Sequence, residues 1–236
     1  QGMDLMLVAR SQERLEEIAV RLAMTYDRRV EVISADLSKP LPGAALLKKV
    51  QALEMEVDVL VNNAGFGMAG GNFHQGDAAR QQQMLALNVG AVMDLARTFL
   101  PAMVERKSGA IINIASLAGF QPTPYMTVYG ATKSFVLSFS EGLWAEYRGK
   151  GVRVLAVCPG PVDTPFFEAT GDASMRKLIP PGTMVTAQQV VAASLKALSQ
   201  GRSFVVPGAI MKAASLLPRL LPRGAVARAS ARTMKQ

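Results

Sequence analysis

Apolar runs with strand character alternate with helical segments along the whole chain, and this alternation restricts its possible folds more than any other feature. The strand-like runs cover residues 4–9, 30–33, 57–61, 110–115, 152–157 and 203–206. Helical segments cover residues 11–23, 40–53, 77–106, 125–149 and 187–199. Such alternation is typical of βαβ units. It predicts an α/β fold in which helices cover both faces of a doubly wound, mostly parallel sheet, giving three layers.

The sequence shows no internal repeat and no linker that would separate two domains. We therefore predict one domain over residues 1–236, with an irregular insert at 163–184 and a basic C-terminal tail at 209–236. Hydrophobic residues make up 50% of the chain and charged residues 19%, which excludes an intrinsically disordered protein.

Cysteine and histidine are too scarce for several classes of site. The single cysteine, Cys158, excludes an internal disulfide and a cysteine cluster for zinc or iron–sulfur. The single histidine, His74, excludes a multi-histidine metal site and argues against a Ser-His-Asp triad. We predict no metal site, and we interpret Cys158 as a buried structural thiol because its neighbours are apolar.

Charge is unevenly distributed along the chain. Residues 1–172 carry a net charge of −2, whereas residues 173–236 carry +10 and no acidic side chain. Such polarity can indicate an acidic ligand, a membrane surface or nucleic acid. Basic residues form no long run and do not interleave with aromatic residues, which argues against nucleic acid. No secretory signal or spanning helix is apparent. We expect a soluble, cytoplasmic protein, with a membrane surface as a possible but unfavoured partner.

A Gly-x-Gly-x-x-Gly pattern, formed by Gly65, Gly67 and Gly70, follows a strand-like run. This pattern can mark a dinucleotide-binding turn. Here Gly71 and Asn72 stand where a helix should begin, and the expected acidic residue about twenty positions later is missing because that region is helical. The pattern therefore predicts a flexible loop beside the active site.

Tyr129 and Lys133 are four residues apart in a predicted helix, so both side chains lie on one helical face. A neighbouring ammonium lowers the pKa of a phenol, whose ordinary value is about 10. Ser116 follows a buried strand, at the edge where open α/β sheets bind ligands, and its hydroxyl could bind a carbonyl that Tyr129 protonates. Alone, the pair would indicate a solvated helix face and the serine a turn.

Together, these residues resemble the ordered motifs of the short-chain dehydrogenase/reductase family over nearly the whole chain. Its catalytic tetrad is matched by Asn88, Ser116, Tyr129 and Lys133. Its Asn-Asn-Ala-Gly segment is matched by Asn62, Asn63, Ala64 and Gly65. Its adenine-binding pair is matched by Asp36 and Leu37, and its nicotinamide-covering segment by Pro159, Gly160, Val162 and Thr164.

The resemblance implies an oxidoreductase that transfers a hydride between NADP(H) and an alcohol, ketone or aldehyde. It implies that Tyr129 is the general acid/base and that Lys133 lowers the pKa of Tyr129 and binds the nicotinamide ribose. Ser116 would orient the substrate carbonyl, and Asn88 would hold a water in the proton relay. A non-catalytic dinucleotide-binding sensor and a membrane-peripheral scaffold are the alternatives.

Cofactor choice is predicted from Arg10 and Ser11, which follow the first strand-like run. In Rossmann folds a carboxylate at this position selects NAD, whereas a nearby arginine accommodates the 2′-phosphate of NADP. A guanidinium can form paired hydrogen bonds to phosphate oxygens. The predicted cofactor is therefore NADP(H), held by Arg10 and Ser11 together with the matched motif residues, including Tyr129 and Lys133.

One element of the family pattern is absent: the Thr-Gly-x-x-x-Gly-x-Gly phosphate loop and the strand before it. The chain begins with Gln1 at the foot of a strand-like run, and we expect that its true N-terminus is missing. In the doubly wound strand order 3-2-1-4-5-6 the missing strand is central. The first two strands should then have no strand linking them to the others.

Three further expectations concern partners. An apolar substrate pocket is suggested by Phe66, Met68, Phe120, Phe166 and Phe167, although plain core is an equally good interpretation. The resemblance implies a homodimer or homotetramer formed through the long helices, whose apolar outer positions include Phe135, Phe139 and Trp144. The basic tail either covers the substrate cleft, faces anionic lipid or an acidic acyl substrate, or packs on the body as an end helix.

Overall fold

A computed structural model describes residues 2–68, 70–166, 170, 176, 179–180 and 182–234, without the side chains of Leu217 and Arg219. Phe167 therefore lies outside the described residues, as does most of the stretch from 167 to 178 within the predicted insert. The strands are β1 (Leu5–Ala9), β2 (Val30–Ser34), β3 (Val59–Asn62), β4 (Gly109–Ile114), β5 (Val152–Val157) and β6 (Phe204–Val205). The helices are α1 (Gln12–Tyr26), α2 (Pro42–Ala52), α3 (Ala78–Leu85), α4 (Val92–Glu105), α5 (Thr127–Tyr147), α6 (Ala187–Ser199), α7 (Ala209–Ala214), α8 (Leu217–Leu220) and α9 (Arg223–Met234).

The strands form two separate parallel sheets. One contains β1 and β2, and the other has the order β3-β4-β5-β6. Within the described residues, no strand joins the two sheets. The predicted Rossmann-like α/β fold is confirmed, and so is the expectation that the first two strands lack a strand linking them to the rest.

The centre of the larger sheet is apolar on both faces because helices cover both. Ile111 and Val154 pack toward α4 and α5, whereas Ile112 and Leu155, the next residues along the same strands, pack against α6. A strand buried on both faces needs a continuous apolar run, which is the pattern read from 110–115 and 152–157. The three predicted layers follow from this alternation.

The two sheets are connected through a shared apolar cluster and a buried hydrogen bond. Ile33 and Val50 pack in the same cluster as Leu95 of α4. At the start of α2, Gly43 N donates to Asp94 Oδ2 of α4 at 2.6 Å. A carboxylate is favourable at a helix N-terminus because of the helix dipole. Helix packing thus supplies a connection that the strands do not.

The predicted helix over 77–106 is interrupted by a change in its hydrogen-bond pattern. A π-helical segment, Ala86–Ala91, separates α3 from α4 and contains Asn88. Such π-bulges are frequent at functional sites. By length and composition alone, Ala78–Glu105 could also cross a membrane, which the sequence expectation had not identified. In this fold, however, α4 forms part of the core.

Candidate active site

The candidate site lies where β3, β4 and β5 end. Ala115 N donates to Val157 O at 2.8 Å, and Leu117 N donates to Pro159 O at 2.8 Å, so the segments after β4 and β5 run side by side. Ser116 lies between these two contacts and precedes a short 3₁₀ helix, Leu117–Phe120. Its Oγ accepts Ala118 N–H at 3.1 Å, which fixes the side chain at the strand end.

Tyr129 comes from the first turns of α5 and meets Ser116. Burial raises the pKa of Tyr129 to about 12, and the nearby Ser116 side chain opposes that rise. The pKa of the phenol is thus raised, where the resemblance implied that Lys133 would lower it, because burial of the hydroxyl is the dominant cause.

Lys133 lies on the same face of α5, one helical turn after Tyr129. Its Nζ is 5.8 Å from the centre of the Tyr129 ring and donates a hydrogen bond to Ile114 O at 2.7 Å. Burial lowers the pKa of this ammonium to about 8. The sequence spacing therefore correctly predicts that Lys133 lies near Tyr129. The ammonium is held by the backbone carbonyl of Ile114 in β4, and not by the phenol oxygen.

Asn88 connects the π-helical segment to both the loop after β3 and helix α5. Its side chain exchanges two hydrogen bonds with the Phe66 backbone, at 3.1 Å and 2.9 Å. Its Nδ2 also donates to Thr132 Oγ1 at 3.1 Å, and that hydroxyl donates to Tyr129 O at 2.7 Å. Asn88 is fully enclosed, with 1% of its surface exposed. The four tetrad candidates are thus brought together, with Thr132 as a link.

Sequence reasoning missed Thr132, Asn113 and Ser140. Beneath the site, Asn62 Nδ2 donates to Asn113 Oδ1 at 2.8 Å, and Asn113 Nδ2 donates to Ser140 Oγ at 2.9 Å. Asn113 stands inside the apolar run of β4, and this position could have identified it, because a buried amide needs hydrogen-bond partners. Threonine or serine within a helix gives a weaker signal, since such hydroxyls commonly bond their own backbone.

Glycines allow the loop after β3 to pass close to these side chains. A Cβ on Gly65 would lie 2.9 Å from Asn88 Oδ1, and one on Gly67 would lie 3.4 Å from Tyr129 Cδ2. This places the Gly-x-Gly-x-x-Gly loop beside the site, as predicted. Asn63, Ala64 and Gly65 follow β3 and are exposed, so their backbone groups are accessible at the end of that strand.

The motif after β5 forms a second loop beside the site. Val162 makes an isolated parallel bridge with Val185, and Thr164 Oγ1 donates a long hydrogen bond to Val162 O at 3.5 Å. Gly160 packs so tightly that a Cβ would approach Met211 at 2.8 Å. Pro159, Gly160, Val162 and Thr164 thus occupy one loop at the strand ends.

The adenine-side candidates are divided between surface and core. Arg10 and Ser11 are exposed at the end of β1. Hydrogen bonds from the Ser38 hydroxyl and N–H, together with the nearby Arg10 charge, hold the pKa of Asp36 below its ordinary value. Leu37, by contrast, puts its side chain into the apolar core. Leu37 could therefore contact an adenine only through its backbone atoms.

The residues present fit a nicotinamide cofactor in one specific respect. An ammonium has three protons to donate. Within the described residues, buried Lys133 uses one of them, toward Ile114 O. Its remaining donors match the hydroxyls of a ribose. Among the described residues, no cluster of three or more His, Cys, Asp or Glu side chains could hold a metal ion.

A cleft of about 230 Å³ opens next to Tyr129. Its apolar lining includes Met68, Phe73, Met84, Tyr125 and Met126. Tyr125 adopts a left-handed backbone conformation with φ of 64°, which is unusual for a bulky side chain. Three methionines give the cleft adaptable walls, because a thioether chain has many rotamers.

The predicted apolar pocket is partly correct. Phe66, Met68 and Phe166 pack against a cluster formed by Met84, Met126 and Tyr129. Phe120 instead meets Phe204 of β6 edge-on, with ring centres 5.8 Å apart. Phe120 packs in a different cluster, beside β6, because the 3₁₀ turn after Ser116 carries it away from the cleft.

Comparisons with known proteins agree with this geometry. The family model for short chain dehydrogenases matches residues 1–174. The chain is 34% identical over 180 residues to an uncharacterized oxidoreductase of Staphylococcus saprophyticus, covering 76% of each chain. It is 36% identical over 197 residues to very-long-chain 3-oxoacyl-CoA reductase-A of Danio rerio, covering 82% of this chain but 59% of that protein.

Solved structures show the same relationship. A short-chain dehydrogenase from Sphingobium yanoikuyae in complex with NADPH has a TM-score of 0.79 and 32% identity, covering 93% of this chain and 84% of that one. The bulky-bulky ketone specific alcohol dehydrogenase from Comamonas testosteroni has a TM-score of 0.75 and 30% identity, with 93% and 83% coverage. With its strand-end site and its Rossmann-like α/β fold, the chain belongs to the short-chain dehydrogenase family of oxidoreductases.

Proposed function

We propose that this protein is an NADP(H)-dependent oxidoreductase that interconverts an alcohol with a ketone or aldehyde. One observation supports the proposal most: Tyr129 is buried beside Ser116, and the buried ammonium of Lys133 lies 5.8 Å from the centre of its ring. A sensor that only binds a dinucleotide has no need of a proton donor in a substrate cleft. The cofactor, when bound, supplies the hydride.

The side chains divide the remaining work. Tyr129 donates its phenolic proton to the carbonyl oxygen during reduction and takes a proton back during oxidation. Ser116 donates a hydrogen bond to the same oxygen and holds it in place. Lys133 holds the ribose hydroxyls and, with its charge, favours loss of the Tyr129 proton. Asn88 keeps the loop after β3 aligned with α5, and it would hold a water that relays protons from Lys133.

The preference for NADP(H) is proposed from the charge at the end of β1. Arg10 and Ser11 are exposed and carry no negative charge, so a 2′-phosphate meets a guanidinium there. The relative from Sphingobium yanoikuyae, which was solved with NADPH, supports this choice. The adjacent Asp36 carboxylate is already bound by Ser38.

The substrate class is proposed from the cleft. Its methionine and aromatic walls favour a carbonyl compound with an apolar group next to the reacting carbon. The named relatives that act on a bulky ketone and on a very-long-chain 3-oxoacyl-CoA are consistent with an apolar substrate.

Assembly and location are part of the same proposal. Phe135 of α5 is 37% exposed and stacks on Phe139, and Met93 of α4 is 48% exposed, so both long helices present apolar surface outward. This surface suits a homodimer or homotetramer, and a monomer in sedimentation at micromolar concentration would contradict it. We propose a cytoplasmic enzyme, because the one helix among the described residues that could span a membrane also carries core residues in this fold. Cell fractionation tests the location.

The decisive experiment is a panel of apolar ketones and aldehydes with NADPH and with NADH, followed by the absorbance of the reduced nicotinamide. We expect turnover with NADPH at a catalytic efficiency at least about tenfold above that with NADH, the equivalent of 1.4 kcal/mol. Nucleotide binding without turnover across the panel would favour the sensor alternative. Equal efficiency with both nucleotides would contradict the cofactor assignment.

A further inference from the structure

The C-terminal helix α9 has one face toward the protein and one toward solvent. Val226 and Ser230 are buried and lie one turn apart, and Met234 continues the same face. Arg228 and Arg232 lie on the outer face and are exposed. Within the basic tail, α9 is therefore an amphipathic helix that packs on the body of the protein.

The last turn of α9 reaches the candidate site. Met234 packs against the cluster of Met84, Met126 and Tyr129. The same three residues line the cleft. Met234 is therefore in contact with the wall that a substrate beside Tyr129 would touch, although about a hundred residues separate it from Tyr129 in the sequence.

We propose that Met234 is a specificity-determining residue that supports one wall of the substrate cleft from behind, without lining the cleft itself, and limits the size of the apolar group next to the reacting carbonyl. The substrates it would select are ketones with a bulky, uncharged apolar group. This inference rests on the proposed function, since it concerns the same cleft. It differs from a purely structural end helix, which would affect stability without affecting the choice of substrate.

The physical basis is the volume of the methionine side chain. Met234 fills space beside Met84 and Met126, so truncation to alanine removes three heavy atoms from that wall. The vacated space can accept additional methylenes of a substrate, and each buried methylene favours binding by about fourfold. A small ketone loses contacts through the same change. Truncation should therefore favour long ketones and disfavour short ones. The ratio of kcat/KM between the two is a sensitive measure of this change.

The first test is a series of alkyl phenyl ketones, from acetophenone to hexanophenone, with NADPH and the variant Met234→Ala. We expect the ratio of kcat/KM for hexanophenone over acetophenone to rise at least about tenfold, with thermal stability close to that of the wild type. The matched control is Met24→Ala, because Met24 on α1 is 83% exposed and distant in the sequence from the cleft residues. An unchanged ratio in Met234→Ala would overturn the inference.

The second test does not depend on turnover. In Met234→Cys, the introduced thiol stands at a half-buried position that packs behind the cleft wall, whereas the native Cys158 is buried. We expect saturating hexanophenone to slow the reaction of this thiol with a maleimide at least about threefold. That change is comparable to the contribution of one buried methylene to binding, about fourfold. The control, Met24→Cys, should react at one rate with or without the ketone.

The two tests separate the inference from the function on which it rests. Protection of the Met234→Cys thiol without turnover of any ketone would retain the cleft wall and reject the proposed reaction. Turnover by the wild type, with no protection and an unchanged ratio, would reject the role of Met234 and retain the proposed reaction.

Discussion

The two sheets differ in how firmly they are held. In the small sheet, both ends of β1 are exposed and β2 contributes one fully buried residue, Ile33. In the large sheet, β4 is buried from Gly109 to Asn113, and β5 is buried at all positions except Arg153. The catalytic candidates follow or contact the large sheet, whereas Arg10 and Ser11 follow the small one.

This difference matches what each region has to do. Proton transfer requires groups held within a fraction of an ångström, so its residues belong on a rigid support. Attraction between a guanidinium and a phosphate acts over a longer range and tolerates small displacements. Under the proposed function, the more buried region would carry the chemistry and the more exposed region the choice of nucleotide. Four variants test whether the two roles can be separated.

The largest effect is expected for Tyr129→Phe, which removes the proton donor and keeps the ring. Turnover should fall by about 10²–10⁴-fold, the usual contribution of general acid–base catalysis. NADPH affinity, measured by fluorescence titration, should stay near that of the wild type because the adenosine-side residues are unchanged. Turnover within about threefold of the wild type would contradict the role of Tyr129.

Gly43→Ala should damage the connection between the two regions. An added Cβ would lie 2.1 Å from Thr98 Oγ1 and 2.8 Å from Asp94 Oδ2, at the contact that joins α2 to α4. We expect the free energy of unfolding to fall by about 1–3 kcal/mol, measured by denaturant titration. The matched control is Gly142→Ala in α5, where a Cβ meets nothing within 4 Å. That change should be neutral or stabilising, and equal losses in both variants would contradict the tight contact.

Arg10→Asp should disrupt the nucleotide region alone. A carboxylate at this position repels the 2′-phosphate and can accept hydrogen bonds from a ribose, so the preference for NADPH should be lost or reversed. We expect a change of at least about tenfold in the ratio of catalytic efficiencies, with kcat nearly unchanged. Arg21→Asp, the same charge change farther along α1, is the control. A matching shift in that variant would indicate a general charge effect.

Thr132→Val should give the smallest effect of the four variants, and the effect should be confined to the catalytic region. Valine keeps the shape but removes the hydroxyl that bridges Asn88 Nδ2 and Tyr129 O. We expect about 1 kcal/mol of the two lost hydrogen bonds to bear on the reaction, which predicts a decrease in kcat of about fivefold. Thr132→Ser keeps the hydroxyl and should restore most of the rate. Equal rates in the valine and serine variants would show that the hydroxyl has no positioning role.

Sequence reasoning proposed the catalytic candidates because short-range geometry brings three of them together and because their ordered motifs resemble those of a known family. Tyr129 and Lys133 share a helix face through their spacing, and Ser116 follows a strand whose end must face the crevice. The division into two sheets was predictable too, because the doubly wound order makes one strand the link between the halves. Such inferences need periodicity and topology, both of which can be read from a sequence.

The remaining features depend on tertiary contacts that no local pattern specifies. The π-helical turn around Asn88 has no compositional signature, and the direction of the Tyr129 pKa shift follows from burial. Phe120 was suggested for an apolar pocket, with plain core as an equal alternative, and its 3₁₀ turn directs it to β6. Met234 could be placed near the cleft only by the packing of α9.

Under the proposed function, the buried ammonium of Lys133 would make nucleotide binding a proton-linked event. Burial lowers its pKa to about 8 from the ordinary 10.5, so the free protein gives up this proton more readily than a solvated lysine. A ribose oxygen that accepts a hydrogen bond from the ammonium would raise that pKa again. Above about pH 8, binding would then draw a proton from solvent, and affinity should weaken as the pH rises. Calorimetry in buffers with different ionisation enthalpies would show this uptake as a buffer-dependent heat, and Lys133→Met would abolish it.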